Sequence, residues 1–435
     1  MSSSLQIISS RRFLPLFITQ FFGAFNDNAF KNALLVWFVY DTAQKFNLNI
    51  PVLIGTASAL FILPFFLFSA LAGQLADKYS KPLLARIIKL CEIIIMVLSF
   101  AGFYFENIFL LMSLLFLMGA HSAFFGPIKY SLPADHLKDN ELLFGNAAIE
   151  AGTFLAILLG TIFGGVFIRA ENGFAIVSIS LTFFAVVGWL ASRFIPAVAI
   201  DDKKLQINFN VFSATAEIIN YAKNYGDDYL KLKNSRSTKK STNQIWQSII
   251  GISVFWFIGA IFVSLFPLYA KNLIHGNEFI VTLFLTMFSI GIGVGSFLCS
   301  KILRGKINFK LVPYGFSGII FGTIIFIFAS YFYNLKFSTS GYINNDGNYL
   351  TLIGIAEFLA QGIFSWVICA SLMLIAIAAG IYIVPLYATM QHYAKAKHSG
   401  KYLARIIAAN NVMNALFMVV ASLCIMAASA IFKLS

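Results

Sequence analysis

Long apolar runs constrain this sequence more than any other feature. Eleven mostly apolar stretches follow one another along the 435 residues, and about twenty residues of helix span a hydrocarbon core of roughly 30 Å. Hydrophobic residues make up 59% of the chain and charged residues 11%, and a soluble fold cannot bury so much apolar surface. The sequence therefore predicts an all-α integral membrane protein.

The apolar runs divide the chain into eleven predicted spans. Residues 348–365 are predicted to form an interfacial helix that leads into the tenth span, and the chain stops about where a twelfth span would begin. The spans are placed at residues 13–40, 52–75, 83–105, 108–130, 143–168, 173–195, 246–270, 279–303, 311–333, 364–388 and 403–431.

The distribution of basic residues predicts the orientation. Of the 31 Lys and Arg residues, 21 fall in segments on one side of the predicted spans when Lys129 and Lys301, at span ends, are counted with the loops; five fall on the other side and five within spans. The positive-inside rule then places the N-terminus in the cytoplasm. The net charge of +13 is spread over these loops rather than gathered in one basic domain, so we predict no nucleic-acid partner. The first helix lacks a cleavage site and is expected to remain as an anchor.

One long polar segment predicts the domain organisation. It follows the sixth span, so we expect a six-helix bundle at residues 1–195, a cytoplasmic linker at 196–245 and a second bundle of about five helices at 246–435. A weak repeat supports two related halves. Pro127 and Pro385 are each predicted to close a span, and a helix with two polar residues four positions apart follows each. These pairs are Asn146 with Glu150, and Asn410 with Asn414.

The loop after the second span carries a short charged motif. Gly73, Asp77, Lys78 and Lys81 stand in the run GQLADKYSK, which resembles the loop pattern of major facilitator transporters. In that interpretation the glycine lets two helices approach, and the acid beside a helix end holds them together in one state of a transport cycle. The alternative is an ordinary charged turn.

Charged residues inside predicted spans are the candidates for a binding site, because charge is costly in a bilayer. Asp27 and Lys31 lie one helical turn apart and are expected to share a face, as are Lys89 and Glu92. Interhelical ion pairs or residues reaching to the membrane surface are the alternative. The predicted substrate-binding residues are Asp27, Lys31, Lys89, Glu92, Asn146, Glu150, Arg405, Asn410 and Asn414.

Three further runs resemble the bacterial lysophospholipid transporter family within the major facilitators. They are FGAFNDNA at residues 22–29, FFGPIKYSLP at 124–133 and GNAAIEAGT at 145–153. The resemblance implies a major facilitator fold of two pseudo-symmetric helical bundles in the bacterial inner membrane. It also implies transfer of lysophospholipid, typically lysophosphatidylethanolamine, from the outer to the inner leaflet. There an acyltransferase partner would restore the second chain.

The residues fit that substrate without excluding others. A zwitterionic headgroup needs a carboxylate for its ammonium and a cation for its phosphate, and Asp27 or Glu150 with Lys31, Lys89 or Arg405 would supply both. Another amphipathic small molecule, or a non-transporting scaffold that docks an acyltransferase, remains an alternative. The sequence has neither a phosphate-binding loop nor an acyltransferase pattern, and His121 is expected to be a packing residue. We therefore predict no enzyme, cofactor or metal site.

Overall fold

The computed structural model describes residues 6–38, 50–224, 236–337, 352–397 and 402–432, and over these residues the chain is helical with no β-strand. Eleven helices have between 20 and 37 residues, which is long enough to cross a bilayer. Nine of the described helices are also apolar enough to do so. The chain is a multi-pass membrane protein, as its apolar runs predict.

The long helices follow the predicted spans in order. Residues 348–351 of the predicted interfacial helix lie outside the described residues, and the described part of that segment contains one six-residue helix, α11. The helices are α1 Leu14–Trp37, α2 Ile50–Lys78, α3 Lys81–Tyr104, α4 Ile108–His136, α5 Asp139–Phe167, α6 Gly173–Ser192, α7 Val211–Asn224, α8 Arg236–Asn272, α9 Glu278–Leu303, α10 Val312–Phe337, α11 Ile355–Ala360, α12 Ile363–Lys397 and α13 Leu403–Phe432.

The prediction that prolines close the fourth and tenth spans is wrong. Pro127 and Pro133 lie inside α4, and Pro385 lies inside α12. A proline removes one backbone hydrogen bond, but a membrane helix packed among neighbours tolerates that loss. As a result α4 extends six residues beyond the predicted end at residue 130, and α12 extends nine beyond residue 388.

Glycines allow the closest helix crossing in the first half. Gly160 and Gly164 of α5 form a GxxxG pair, and a Cβ at either position would overlap the backbone of α1 at Phe25 or Ala29. In a bilayer such small residues let helix backbones pack directly. Around this pair α6 packs on α1 and α3, while α2 and α3 pack on α4.

The second half repeats this arrangement. Helix α8 packs on α13 as α1 packs on α5, and α9 packs on α12 as α2 packs on α4. Gly295 and Gly380 supply the close α9–α12 crossing, since a Cβ at either would overlap the facing backbone. Among the described helices none takes the place that α6 holds in the first half.

The two halves meet through α2 against α13 and α5 against α9. The segment 196–210 and helix α7 cover the end of the bundle where α2 ends and α13 begins. We call this the linker end. Helix α8 begins at Arg236, inside the predicted linker, and the predicted domain boundaries at residues 195 and 245 stay predictions.

Candidate functional site

Asp77 joins the two halves at the linker end. Its Oδ2 accepts a 2.6 Å hydrogen bond from Arg405 Nε, and its Oδ1 accepts a 3.2 Å bond from the backbone nitrogen of Ala404. The Asp77 side chain is fully buried. Gly73, one turn earlier, faces α13, where a Cβ would overlap the Cβ of Ala408. The predicted motif thus lies against α13, and Lys78 from the same motif lies over the ring of Tyr79.

The linker adds a second layer to this contact. Asp202 donates its backbone N–H to the carbonyl of Asp77 at 2.8 Å, and its carboxylate lies 3.5 Å from Arg405. Lys81 lies between Asp135 and Asp201, 2.7 Å from each carboxylate. Burial raises the pKa of Asp201, and the Lys81 ammonium opposes that rise. The linker end is therefore closed by side chains from both halves and from the linker.

Further into the bundle, a polar layer joins α4 and α5 to α12. Asn146 and Gln391 exchange two side-chain hydrogen bonds of 2.6 and 3.0 Å, and Gln391 also donates to the carbonyl of Tyr130. Tyr130 donates to Glu150 at 2.9 Å, and its ring stacks on Tyr387 with centroids 4.4 Å apart. Asn146 is thus a contact between the halves, while Glu150 keeps one buried oxygen without a hydrogen-bond partner among the described residues.

The two predicted asparagines of α13 differ in their surroundings. Asn414 accepts a hydrogen bond from Ser253 of α8 at 3.0 Å. Asn410 is fully buried beside the hydroxyl of Tyr387. Both therefore lie inside the second half or next to the polar layer, and their role in substrate binding stays a prediction.

Lys89 and Glu92 form a buried ion pair in the first half. The two groups are 2.7 Å apart and almost fully buried, and Asn26 donates to the same carboxylate at 2.9 Å. His121 lies 3.2 Å from it, and the Lys89 ammonium sits over the ring of Phe125. Because the Glu92 carboxylate already has three partners, we interpret the Lys89–Glu92 pair as a structural contact inside the bundle.

Asp27 and Lys31 are placed differently. Asp27 accepts a 2.6 Å hydrogen bond from Ser122 of α4, and its other oxygen has no partner among the described residues. Lys31 lies over the ring of Phe61, and within the described part of the chain no carboxylate comes within 4 Å of it. Both residues lie mid-helix and are neither fully buried nor fully exposed.

Lys129 is a charged residue of this region that the predicted site omits. It lies in α4, partly exposed, and donates to Thr153 of α5 at 2.8 Å. Thr153 in turn donates to Gln20 of α1 at 3.0 Å. Sequence reasoning counted Lys129 with the loop because Pro127 was expected to end the helix. Tyr130, Gln391 and His121 were also outside the predicted set. Polarity inside the predicted fourth span was the available signal for His121 and Tyr130, whereas Gln391 lies beyond the predicted end of the tenth span and gave no such signal.

The predicted residues therefore fall into separate groups. Asp27, Lys31 and Glu150 lie in the first half with accessible or unpartnered polar atoms, and we call them together with Lys129 the central polar group. Lys89 and Glu92 pair with each other, whereas Arg405 lies at the linker end with Asp77 and away from this group. The side-chain hydrogen bonds described between the halves all lie toward the linker end. They are made by Arg405, Gln391 and Lys395 of the second half.

Comparison with known proteins identifies the fold. A family profile described as the Major Facilitator Superfamily matches residues 16–365. The protein named lysophospholipid transporter LplT from Escherichia fergusonii is 24% identical over 330 residues, covering 74% of this chain and 72% of that protein. The protein of the same name from Yersinia enterocolitica is 25% identical over 330 residues, covering 74% of this chain and 71% of that protein.

Solved structures agree at the level of the fold. A bacterial homologue of the iron transporter ferroportin in an outward-facing state superposes with a TM-score of 0.60 at 12% identity, covering 97% of this chain and 92% of that one. The human organic anion transporter MFSD10 superposes with a TM-score of 0.58 at 14% identity, covering 94% and 93%.

Proposed function

The chain belongs to the Major Facilitator Superfamily, and from that premise we propose that it moves a lysophospholipid across the bacterial inner membrane by alternating access. It is a transporter rather than an enzyme. Two relatives from different genera that each align with about three quarters of the chain are lysophospholipid transporters by name. The substrate class follows from that similarity together with the chemistry of the central polar group.

Asp27 is the observation that carries the proposal. Its carboxylate lies mid-helix in α1 and has one buried oxygen without a hydrogen-bond partner among the described residues. A charged carboxylate at this depth costs about 2.5 to 3.5 kcal/mol on insertion scales, which makes Asp27 a candidate for a functional residue. The ammonium of a phosphoethanolamine headgroup would complete its hydrogen bonds with a charge-assisted contact.

The proposed direction of transport rests on the uneven distribution of basic residues between the two ends of the bundle. The excess of basic residues near the linker end favours a cytoplasmic linker end, and the side-chain hydrogen bonds described between the halves lie toward that end. We therefore assign this conformation to a state closed to the cytoplasm, which receives its substrate from the outer leaflet. Asp77 and Arg405 then act in closing the linker end, and an acyltransferase on the cytoplasmic side would consume the delivered lipid.

Reconstitution of the purified chain in liposomes tests the proposal. Fluorescent lysophosphatidylethanolamine added outside should become protected from quenching faster than in empty liposomes. Asp27→Asn keeps the shape but removes the charge, and loss of one charge-assisted contact of about 1.5 to 3 kcal/mol should weaken substrate binding roughly ten- to hundredfold.

Glu171→Gln provides the matched control, because Glu171 is an exposed acid in the loop between α5 and α6. This variant should transport at the wild-type rate. Binding of lysolipid without any protection would favour the scaffold alternative, and full transport by Asp27→Asn would remove Asp27 from the site.

A further inference from the structure

The basic side chains inside the bundle differ in whether a carboxylate lies close to them. Lys89 is neutralised by Glu92 at 2.7 Å, and Arg405 by Asp77 at 2.6 Å. Lys31 and Lys129 have no carboxylate within 4 Å among the residues that the structure describes. Within the central polar group, these two lysines are therefore the candidates for binding an anionic headgroup.

The surroundings of Lys129 contain hydrogen-bond donors that an anion could accept from. Its ammonium is held by Thr153, and Thr153 is fixed in turn by Gln20 and by the carbonyl of Ile149. The amide nitrogen of Gln20 is a buried donor without a partner among the described residues, on a side chain that is 2% exposed. The side chains of Lys129 and Gln20 both contact Thr153, between α1, α4 and α5, and no carboxylate of the described residues hydrogen-bonds to either donor.

The nearby acids Glu150 and Asp27 do not form an ion pair with Lys129 in the structure. Glu150 and Asp27 both act electrostatically on Lys129, yet Tyr130 holds Glu150 and Ser122 holds Asp27. A ligand with a negative and a positive group can therefore place the first at Lys129 and the second at Asp27. Lys31 differs, because its ammonium lies over the apolar ring of Phe61.

We propose that Lys129, with Gln20 and Thr153, forms an anion subsite that binds the phosphate of an amphiphilic substrate. The assignment rests on the proposed function, since it names the phosphate-binding residue of the same site. It makes phosphate recognition depend on Lys129 and ammonium recognition on Asp27. Substrates with a phosphate are then preferred over uncharged single-chain lipids such as monoacylglycerol.

Equilibrium binding to the full chain in lipid nanodiscs separates the two subsites. The probes are dodecyl phosphate, which has only the anion, and dodecyltrimethylammonium, which has only the cation. Lys129→Gln should weaken dodecyl phosphate binding roughly ten- to hundredfold and leave the ammonium probe bound at least as tightly. Lys129→Arg should retain most of the dodecyl phosphate affinity, and Asp27→Asn should weaken only the ammonium probe.

Lys301→Gln is the matched control, because it removes the same charge from an exposed lysine of α9 outside the central polar group and should leave dodecyl phosphate affinity unchanged. Lys31→Gln removes the other lysine of the group and should change that affinity only about two- to threefold. If Lys129→Gln does not fold, Thr153→Val removes the hydroxyl that holds the ammonium and should weaken the same probe about fivefold. Equal weakening by Lys31→Gln, unchanged affinity in Lys129→Gln, or no binding of dodecyl phosphate to the wild-type chain would overturn the subsite.

The outcome is distinguishable from failure of the proposed function. Lys129-dependent binding of dodecyl phosphate without lysophosphatidylethanolamine transport would leave the subsite standing and refute the transport proposal. If lysophosphatidylethanolamine is transported and Lys129→Gln leaves that transport unchanged, the transport proposal stands and the anion subsite is refuted.

Discussion

A single carboxylate connects α2 to α13 at the linker end. Asp77 uses both oxygens in that contact, one with Arg405 and one with the backbone of Ala404. Asp77→Asn removes the charge, and the contact should lose about 1.5 to 3 kcal/mol. We expect this variant to hold the linker end closed less firmly, to slow lysolipid transport, and to bind substrate with nearly unchanged affinity, because Asp77 lies away from the central polar group.

Cysteine accessibility measures that change directly. Ala408 is fully buried beneath Gly73, so a cysteine placed there, in a chain whose four native cysteines are replaced, should react with a maleimide faster when Asp77→Asn is present. Glu217→Gln, an exposed acid of α7, is the control and should leave the labelling rate unchanged. A large loss of equilibrium substrate affinity with normal turnover would contradict a gating role for Asp77.

The charged candidates were recoverable from sequence, but their partners were not. Any charge inside an apolar run is costly, and that rule alone selects Asp27, Lys89 and Glu150. Helical spacing correctly pairs Lys89 with Glu92, three residues apart. It fails for Asp27, whose structural partner Ser122 lies 95 residues away, because contacts between helices depend on packing that no local pattern encodes.

At the scale of helices, the crossing of α1 and α5 depends on a pair of glycines. A Cβ at Gly164 would overlap the carbonyl of Ala29, whereas a Cβ at Gly259 of α8 would meet nothing within 4 Å. Gly164→Ala should therefore lower the stability of the detergent-purified chain by about 1 to 3 kcal/mol, the usual cost of overpacking. Thermal unfolding followed by circular dichroism measures this cost.

Gly259→Ala serves as the control for that substitution. It makes the same chemical change in open space, and alanine favours helix over glycine by roughly 0.5 to 1 kcal/mol. Its stability should stay the same or rise. Equal unfolding temperatures in the two variants would show that the α1–α5 crossing relaxes freely around an added methyl group.

Element boundaries were the least predictable part of the fold. The number and order of long helices follow from apolar runs, since lipid imposes a minimum span. The ends of α4 and α12 do not, because proline was treated as a stop signal that applies in water. Helix α4 continues through Pro127 to His136, because a helix packed among neighbours tolerates the backbone hydrogen bond that proline removes. Lys129 was misplaced as a loop residue for the same reason.

At the scale of the whole molecule, the division into two related halves explains the placement of the site. The equivalent crossings α1–α5 with α8–α13, and α2–α4 with α9–α12, give each half its own rigid packing. The side-chain hydrogen bonds described between the halves lie toward the linker end, where Asp77, Arg405 and the linker acids meet. The halves can then separate there without unpacking, and this is what alternating access requires.

The orientation of the whole chain is the remaining testable feature. We predict that the eleven long helices of the described residues cross the bilayer in alternating directions, which would place the start of α1 and the end of α13 on opposite sides. The basic residues near the linker end predict that this end, with the N-terminus, faces the cytoplasm. A protease site fused to the C-terminus should then be cleaved in intact spheroplasts, whereas one fused to the N-terminus should be cleaved only after lysis. Cleavage of the N-terminal site alone would reverse the orientation and with it the proposed direction of transport. Protection of both sites would mean that one long helix does not cross the membrane.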